Sequence, residues 1–462
     1  MQTSQLAPLL NPQSVAVVGL SSDSRKLGNT ILANVVKNQF AGRIYGVRRA
    51  KDDVGLRTSQ AGVSVVGSFD EIPETVDVTL FAVPASQLLA ALKAVPLGRT
   101  RVAVAIASGF SEVGQEGEKL EKQLADYCAG VGIPLIGPNC QGIVIPRAKL
   151  QMTFSPMYDQ MVSGSVALIS QSGAMGGYMV NRLMQRGIGI SCFVSSGNET
   201  TVNSADYLSL LEQDPETRAI LCYLEEVKHG RRFAEIARNT VKSKPIVIVK
   251  SGRSASGARA TSSHTGAIAA DDAVVSGVFQ QLGIIRARDS STAVDAAVAL
   301  SVGKPLHGKR IGVLSVAGGL AVELTDLLEL SGFEVPEFDP ETRQRLDAVV
   351  PAFGAKLNPI DLTGAVLTQE GLFEESVKVF GAAKNIDGFA IISTYIADPR
   401  FAHTIANLFK RSIKPVIVCW TGSAQQTPDS LRILAEAGVP VYDNPARVVT
   451  AFSALRQDAS IG

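Results

Sequence analysis

Short apolar runs, separated by amphipathic stretches, recur along the whole of this chain. SVAVVGL (14–20), RIYGVR (43–48), VDVTLFAVP (76–84), RVAVAIA (101–107) and IPLIGPN (133–139) are the first five. A bilayer span takes about 20 apolar residues, so these runs are far too short to cross one. They fit strands buried on both faces of a parallel sheet. Between them lie helix-patterned segments such as KLGNTILANVVKNQ (26–39) and EKLEKQLADYCAGVG (118–132), with glycines at the strand ends. The alternation is β-α-β and predicts an α/β fold of doubly wound parallel sheets. Residues 1–150 form one such unit of about five or six strands.

A second series opens at SGSVALISQSG (163–173) and runs to PIVIVKSG (245–252), and a third opens at GKRIGVLSVAGG (308–319). These two are a repeat. SVALISQSGAMGGYMVNRLMQRG (165–187) aligns without a gap on RIGVLSVAGGLAVELTDLLELSG (310–332), pairing Ser170 with Ser315, Gly173 with Gly318 and Gly187 with Gly332. KPIVIVKSGRS (244–254) matches KPVIVCWTGSA (414–424), and LGIIRARDSSTAV (282–294) matches AGVPVYDNPARVV (437–449). The expected domains are therefore 1–150, 151–303 and 304–462. The informative part is where the repeat fails. Gly252 and Gly283 are 31 residues apart, but Gly422 and Gly438 only 16. The second domain carries an insertion its sister lacks, and insertions on a repeated scaffold tend to be surface loops that carry function.

That insertion is chemically unusual. From Ser254 to Ala270, fourteen of seventeen residues are Ala, Ser, Gly or Thr, and one of the chain's 4 histidines, His264, stands among them. In SSHTGA the neighbours, Gly266 included, leave room for a phosphoryl group to approach closely. A helix pattern follows at 267–283, and its N-terminus favours negative charge beside the imidazole. No Ser-His-Asp arrangement suggests hydrolysis, and no second His stands at metal-binding spacing. A nucleophilic imidazole that carries a phosphoryl group needs an unhindered, mobile segment and helix ends that stabilise an anion. The bland alternative is an exposed or structural histidine.

Other candidates sit at strand ends, where open α/β sheets bind ligands. In VVGLSSDSRKLGNTI (17–31), Gly19 ends the strand and Gly28 lies near the helix start. Ser21, Ser22 and Asn29 offer hydrogen bonds there, and Arg25 and Lys26 offer positive charge. A pyrophosphate can rest on that helix N-terminus. The next strand ends in Arg48 and Arg49, where an NAD site would carry an acid. Two arginines favour a phosphorylated ribose, as in NADP or coenzyme A. A plain turn with solvated arginines is the alternative. Val83 and Pro84 in AVPAS and the stretch ASGFSEVG (107–114) follow two more strands. In GPNCQG (137–142), Asn139 and Cys140 make a tight turn; Cys140 is either a nucleophile or a small residue beside a thiol ligand. Ser172, Gly173 and Ala174 form a strand–helix bend whose N–H groups can cradle an anion. Glu225, with Glu226, ends RAILCYLEE, where a carboxylate can orient an imidazole.

Net charge is +1, so no global field points to nucleic acid or an anionic membrane. The 5 cysteines have no CxxC pairing, which argues against a disulfide framework or a zinc site and fits a reducing compartment. The start, MQTSQLAPLLNPQ, lacks the basic and apolar regions of a signal peptide. The expected location is the cytoplasm.

With SVAVVGLSSDSRKLGNTIL, GPNCQG, GSVALISQSGAMG, VSSGN (194–198), YLEEVKHGRRF (223–233), KSGRSASGARATSSHTGA (250–267) and NPIDLTG (358–364) together, the chain resembles the NDP-forming acyl-CoA synthetase superfamily, which includes succinyl-CoA synthetase. It looks most like the α subunit of ADP-forming acetate/acyl-CoA ligases, over roughly residues 8–458. The resemblance implies a CoA-binding Rossmann-like domain followed by two flavodoxin-like ligase domains. It also implies that acyl-CoA and phosphate give an acyl phosphate and free CoA, that the phosphoryl group passes to His264, and that Glu225 holds this histidine. Ser172 and Gly173 match the phosphate-cradling turn. The family's ATP-grasp module has no counterpart among the three α/β units, so the resemblance implies a separate ATP-grasp β subunit that binds ATP or ADP with Mg²⁺, in a hetero-oligomer. Gln141, Glu226, Arg48-Arg49 and AGGLA depart from the family's usual residues, which leaves the acid unspecified. Two other readings of the residues are a CoA-responsive binding protein without catalysis and an NADP-dependent dehydrogenase.

Overall fold

The structure, a computed structural model, describes residues 3–48, 62–156, 161–265, 271–302 and 304–460, with the backbone alone for 262–265. The chain divides into two compact units, Met1–Met184 with Gly189–Ser290, and Gln185–Ile188 with Ser291–Gly462.

The first unit holds two sheets. One contains β1 (Ser14–Leu20), β2 (Arg43–Arg48), β3 (Val63–Val66), β4 (Val76–Phe81), β5 (Thr100–Ala105) and β6 (Leu135–Ile136), in spatial order 3-2-1-4-5-6 and parallel throughout. Helices α1 (Leu27–Lys37), α2 (Ala85–Lys93) and α3 (Gln115–Val131) make crossovers. Val15, Ala16 and Val17 are fully buried, as a central strand covered on both faces requires. The order of connection reverses between β1 and β4. Crossovers on either side of that point leave in opposite directions, which opens a crevice at the carboxyl ends of the strands. Gly19 shapes its floor, with φ at +104°, and a Cβ there would lie 2.5 Å from the Ala82 carbonyl oxygen. A Cβ on Gly28 would lie 2.6 Å from the Gly19 carbonyl oxygen. Only two glycines let the start of α1 press against the end of β1.

The second sheet contains β7 (Gly142–Ile145), β8 (Leu150–Thr153), β9 (Ser163–Ser170), β10 (Ile190–Ser195), β11 (Ala219–Leu224), β12 (Ile246–Lys250) and β13 (Ile285–Arg286). Its five parallel strands run in the order 10-9-11-12-13. The β7–β8 hairpin extends it antiparallel to β10, with Phe193 opposite Val144. Residue 150 therefore begins a strand of this sheet. Its helices are α4 (Gly173–Met184), α5 (Ser204–Glu212), α6 (Gly230–Thr240), α7 (Ala255–Thr265) and α8 (Asp272–Gln281).

The second unit opens on α9 (Ser290–Ser301) and contains β14 (Ile311–Ser315), α10 (Gly318–Leu330), β15 (Ile360–Asp361), β16 (Gly388–Ser393), β17 (Val416–Trp420), α14 (Pro428–Glu436), β18 (Val441–Tyr442) and α15 (Pro445–Ala459); α11 (Pro340–Val349), α12 (Leu372–Phe380) and α13 (Pro399–Arg411) complete it. Its sheet runs 15-14-16-17-18, the same connectivity as the five parallel strands of the second sheet. The repeat holds at atomic detail. Ser170 and Ser315 both end their strands fully buried, and each hydroxyl donates to the carbonyl two residues on, that of Ser172 and of Ala317.

Where the repeat fails, the structure has an extra helix. One helix, α14, lies between β17 and β18, but two, α7 and α8, lie between β12 and β13. The segment expected as a loop is thus helical over Ala255–Thr265. Alanine is the best helix former, and the Ser254 hydroxyl accepts the Gly257 N–H at 3.1 Å to cap the first turn.

Candidate functional site

A cavity of about 1220 Å³ occupies the crevice of the first unit. Its lining includes Gly19, Ser21, Lys26 and Arg48 from the first two strand ends, Val83 and Pro84 from the third, and Asn139 and Cys140 from the GPNCQG turn. Ser172, Gly173 and Ala174 line the same cavity. The structure therefore brings the candidate nucleotide turn and the candidate anion cradle to one space. Ser22 is exposed and Gly28 is buried, and neither lines the cavity. Glu225 is half-buried and does not line the cavity. Arg49 and Gly266 lie outside the described residues. His264 lies on the backbone of α7, which runs beside the short turn Ser111–Val113.

The turn at 20–26 is held by a side chain of α1. Asn29 Nδ2 donates to the carbonyls of Ser21 and Asp23 at 2.7 and 2.8 Å, and its Oδ1 accepts the Ser21 N–H at 3.3 Å. Arg25 is exposed and paired with Asp23 at 3.0 Å. Of the two cations expected there, Lys26 is the one at the cavity, at the N-terminus of α1. Partial positive charge from that helix end adds to it.

In the GPNCQG turn, Asn139 takes φ of 56° and its N–H donates to the Ala107 carbonyl at 2.8 Å. The Cys140 thiol is buried and faces the Ala105 carbonyl at 3.3 Å. Burial pushes this thiol up to about 12. A thiol in that state is a poor nucleophile, so the geometry favours the small-residue reading. The other four cysteines are buried too, and burial pushes Cys128, Cys192 and Cys419 up to about 12. At pH 8 the thiolate fraction of such a group is roughly one in ten thousand. The native chain should thus resist thiol-disulfide reagents at pH 8 and release 5 equivalents after unfolding. One fast equivalent, absent in Cys140→Ser, would restore the nucleophile reading.

Sequence patterns missed several lining residues. Gln87, Ala91 and Ala94 on and just after α2 face the cavity, and their spacing of four and three was the available signal. Gln141, Phe154 and Gln171 line it as well, and no local pattern marks them. Gln171 links the cradle to Glu225. Its Oε1 accepts the N–H groups of Glu225 and Glu226 at 2.6 and 2.9 Å, and its Nε2 donates to the Glu226 carbonyl at 2.9 Å. Lys250, at the end of β12, donates to the Glu225 carbonyl at 2.6 Å. Burial, then the nearby Arg286 guanidinium, holds the Lys250 ammonium below its ordinary range.

The loop after β5 is fixed by a second polar cluster. Asn198 Nδ2 donates to Glu112 and to Glu121, each at 2.9 Å. Burial pushes both carboxyls up, but hydrogen bonds outweigh it and hold them below the usual carboxylate range, from Asn198 and the Gly109 N–H at Glu112, and from Ser111, Thr200 and Asn198 at Glu121. Both stay ionised near neutrality.

In the second unit the turn equivalent to 172–174 is already filled. A Cβ on Gly318 would lie 2.5 Å from Asp361 Oδ2. A carboxylate of the chain itself sits at the N-terminus of α10, whereas at α4 the neighbour is the neutral Gln141 amide, which lies against Gly173 and lines the cavity with it.

Comparison with known proteins bears on these features. Residues 13–146 match the family described as CoA binding domain, and residues 163–300 match the succinyl-CoA ligase like flavodoxin domain. The chain is 36% identical to the α subunit of ADP-forming acetate–CoA ligase I of Pyrococcus furiosus, covering 97% of each. It is 32% identical to the ADP-forming acetate–CoA ligase I of Archaeoglobus fulgidus over 98% of this chain, and spans 64% of that protein's length. A structure of dinucleotide forming acetyl-coenzyme A synthetase 1 of Ca. Korarchaeum cryptofilum, in complex with phosphate and ADP, matches with a TM-score of 0.89 and 33% identity, covering 99% of this chain and 97% of that one. Among the described residues no helix is long and apolar enough to cross a membrane.

Proposed function

We propose a reaction and a division of labour, from the plain premise that this chain belongs to the family of ADP-forming acetate/acyl-CoA ligase α subunits. Relatives named as α subunits imply a separate partner subunit. The partner is an ATP-grasp β subunit that binds ATP or ADP with Mg²⁺, the ion neutralising phosphate charge there. This chain binds coenzyme A and carries the phosphoryl group.

CoA lies in the crevice, its phosphates on the N-terminus of α1 near Lys26 and Arg48. The close packing of Gly19 and Gly28 lets the ligand approach the backbone. The pantetheine runs past Val83 and Pro84, and the thioester ends between Cys140 and the turn Ser172–Ala174. A phosphate oxygen held by that turn attacks the thioester carbonyl. The C–S bond breaks, CoA leaves, and an acyl phosphate remains. A ring nitrogen of His264 then attacks phosphorus, the bond to the acyl oxygen breaks, and the carboxylic acid leaves as its anion. Glu225 holds the imidazolium. An ADP oxygen takes the phosphoryl group from His264 on the partner, and the P–N bond breaks to give ATP. Every step runs equally in reverse. Catalysis is positioning plus electrostatic stabilisation of phosphoryl charge.

One observation carries this reading: residues suited to CoA and an anion-binding helix end line the same cavity. The test is labelling of the chain, co-expressed with its partner, by radioactive inorganic phosphate and a panel of acyl-CoAs. Acid-labile label that depends on one acyl-CoA supports the reading and names the acid. No label with any of them, while CoA still binds, refutes it.

A further inference from the structure

Gln171 stands between the buried strand-end Ser170 and the cavity turn Ser172–Ala174. Its backbone N–H donates to the Tyr223 carbonyl at 3.1 Å, so β9 and β11 are tied two residues short of Glu225. Its side chain then reaches past the ladder. Both lone pairs of Oε1 are used, one on the Glu225 N–H and one on the Glu226 N–H, and Nε2 takes the Glu226 carbonyl. Lys250 takes the Glu225 carbonyl from the other neighbouring strand and the Ser251 carbonyl at 2.8 Å. Both backbone polar groups of Glu225 are thus satisfied by side chains of other strand ends. A strand end of this kind ordinarily meets water or its own loop. Here it is gripped from both sides, and one grip belongs to the residue that begins the anion-binding turn.

We propose that Gln171 is a positioning residue for the phosphoryl transfer: it fixes the spacing between the turn Ser172–Ala174 and the Glu225 carboxylate, with Lys250 as the opposing grip. A carboxylate that holds an imidazole must stand at a set distance from the anion the imidazole attacks. Misplacement on the scale of 1 Å costs about 100-fold in such a step. The Gln171 amide is the short path between the two groups. The proposal rests on the reading of Glu225 and His264 given above.

The test compares two phosphoryl donors in the complex of this chain with its partner. Gln171→Leu keeps the size of the side chain and removes its hydrogen bonds to Glu225 and Glu226, together with the one to the Glu199 carboxylate. Gln171→Asn keeps the amide but shortens its reach, and serves if the first variant folds poorly. Labelling of His264 from acyl-CoA plus phosphate should fall about 100-fold. Labelling from Mg·ATP through the partner should stay within about threefold, because it does not use the fixed spacing. Equal loss from both donors would mean general damage and would overturn the proposal, as would unchanged labelling from acyl-CoA. If the wild-type complex takes no label from either donor, it is the underlying reading of His264 that fails.

Discussion

Replacing His264 with alanine should remove all acid-labile phosphate from the chain and leave its affinity for CoA unchanged. The loss of turnover in the complex should be at least about 10⁴-fold, the scale on which removal of a covalent nucleophile falls. The cysteines are poor alternative nucleophiles. The cysteine thiols are buried, and Cys140, the one lining the cavity, is pushed up to about 12 by burial. CoA binding should survive because the described cavity lining runs only from Val18 to Ala174. Mass spectrometry under conditions that preserve phosphohistidine, beside calorimetric titration with CoA, gives both readouts. Undiminished label in His264→Ala would move the phosphoryl carrier elsewhere. Loss of label together with loss of CoA binding would point to a folding defect.

The scaffold was largely readable from period and repeat. A strand such as β1 announces itself because both faces are buried, so apolar residues run without alternation. Gly19 and Gly28 were legible for a related reason, since a close approach of backbones tolerates no Cβ there. The repeat located the insertion between Gly252 and Gly283. What the repeat could not say is whether the insertion is loop or helix. Its composition is ambiguous, because Gly and Ser favour turns while Ala favours helix, and over Ala255–Thr265 Ala wins. The β7–β8 hairpin was missed because GIVI carries no mark of which sheet it joins. Gln171 was hidden more deeply. Its partners, Glu225 and Glu226, are 54 and 55 residues away in sequence, and a side chain that acts across strands leaves no local pattern. The filled turn at Gly318 was hidden likewise, since Asp361 lies on another strand.

The largest effect on stability should come from Asp295→Ala. The stretch Ala293–Ser301 of α9 is buried throughout, and Asp295 is its one charge. Its side chain is only 4% exposed, and two arginines of the same unit close on it. Arg186 reaches it at 2.9 Å, and Arg447 binds it with two nitrogens at 2.8 and 2.9 Å. The backbone carbonyl of Asp295 also accepts the buried Tyr442 hydroxyl at 2.8 Å. α9 and α15 are equivalent in the repeat, and this carboxylate ties one to the other and both to the segment Gln185–Ile188. The sign of the effect follows from what is left behind. A buried ion pair replaced whole by apolar groups is often neutral, but removal of one partner strands the other in a low dielectric. Here two guanidiniums lose their counter-charge together. The expected cost is about 3–5 kcal/mol, a fall in Tm on the order of 10 °C. Arg447 keeps a second contact, to Asp443 at 2.7 Å, so Arg447→Ala should cost less than Asp295→Ala. Asp295→Asn, which keeps hydrogen-bonding groups and loses the charge, should fall between. Thermal melts of the three variants order the effects, with CoA titration at 25 °C as the control for the first unit. If Asp295→Ala melts within a degree or two of the parent, the triad is dispensable and α9 is held by its apolar face alone. If the predicted order holds, the charge buried among alanines and valines is what fixes the ends of the repeat against each other.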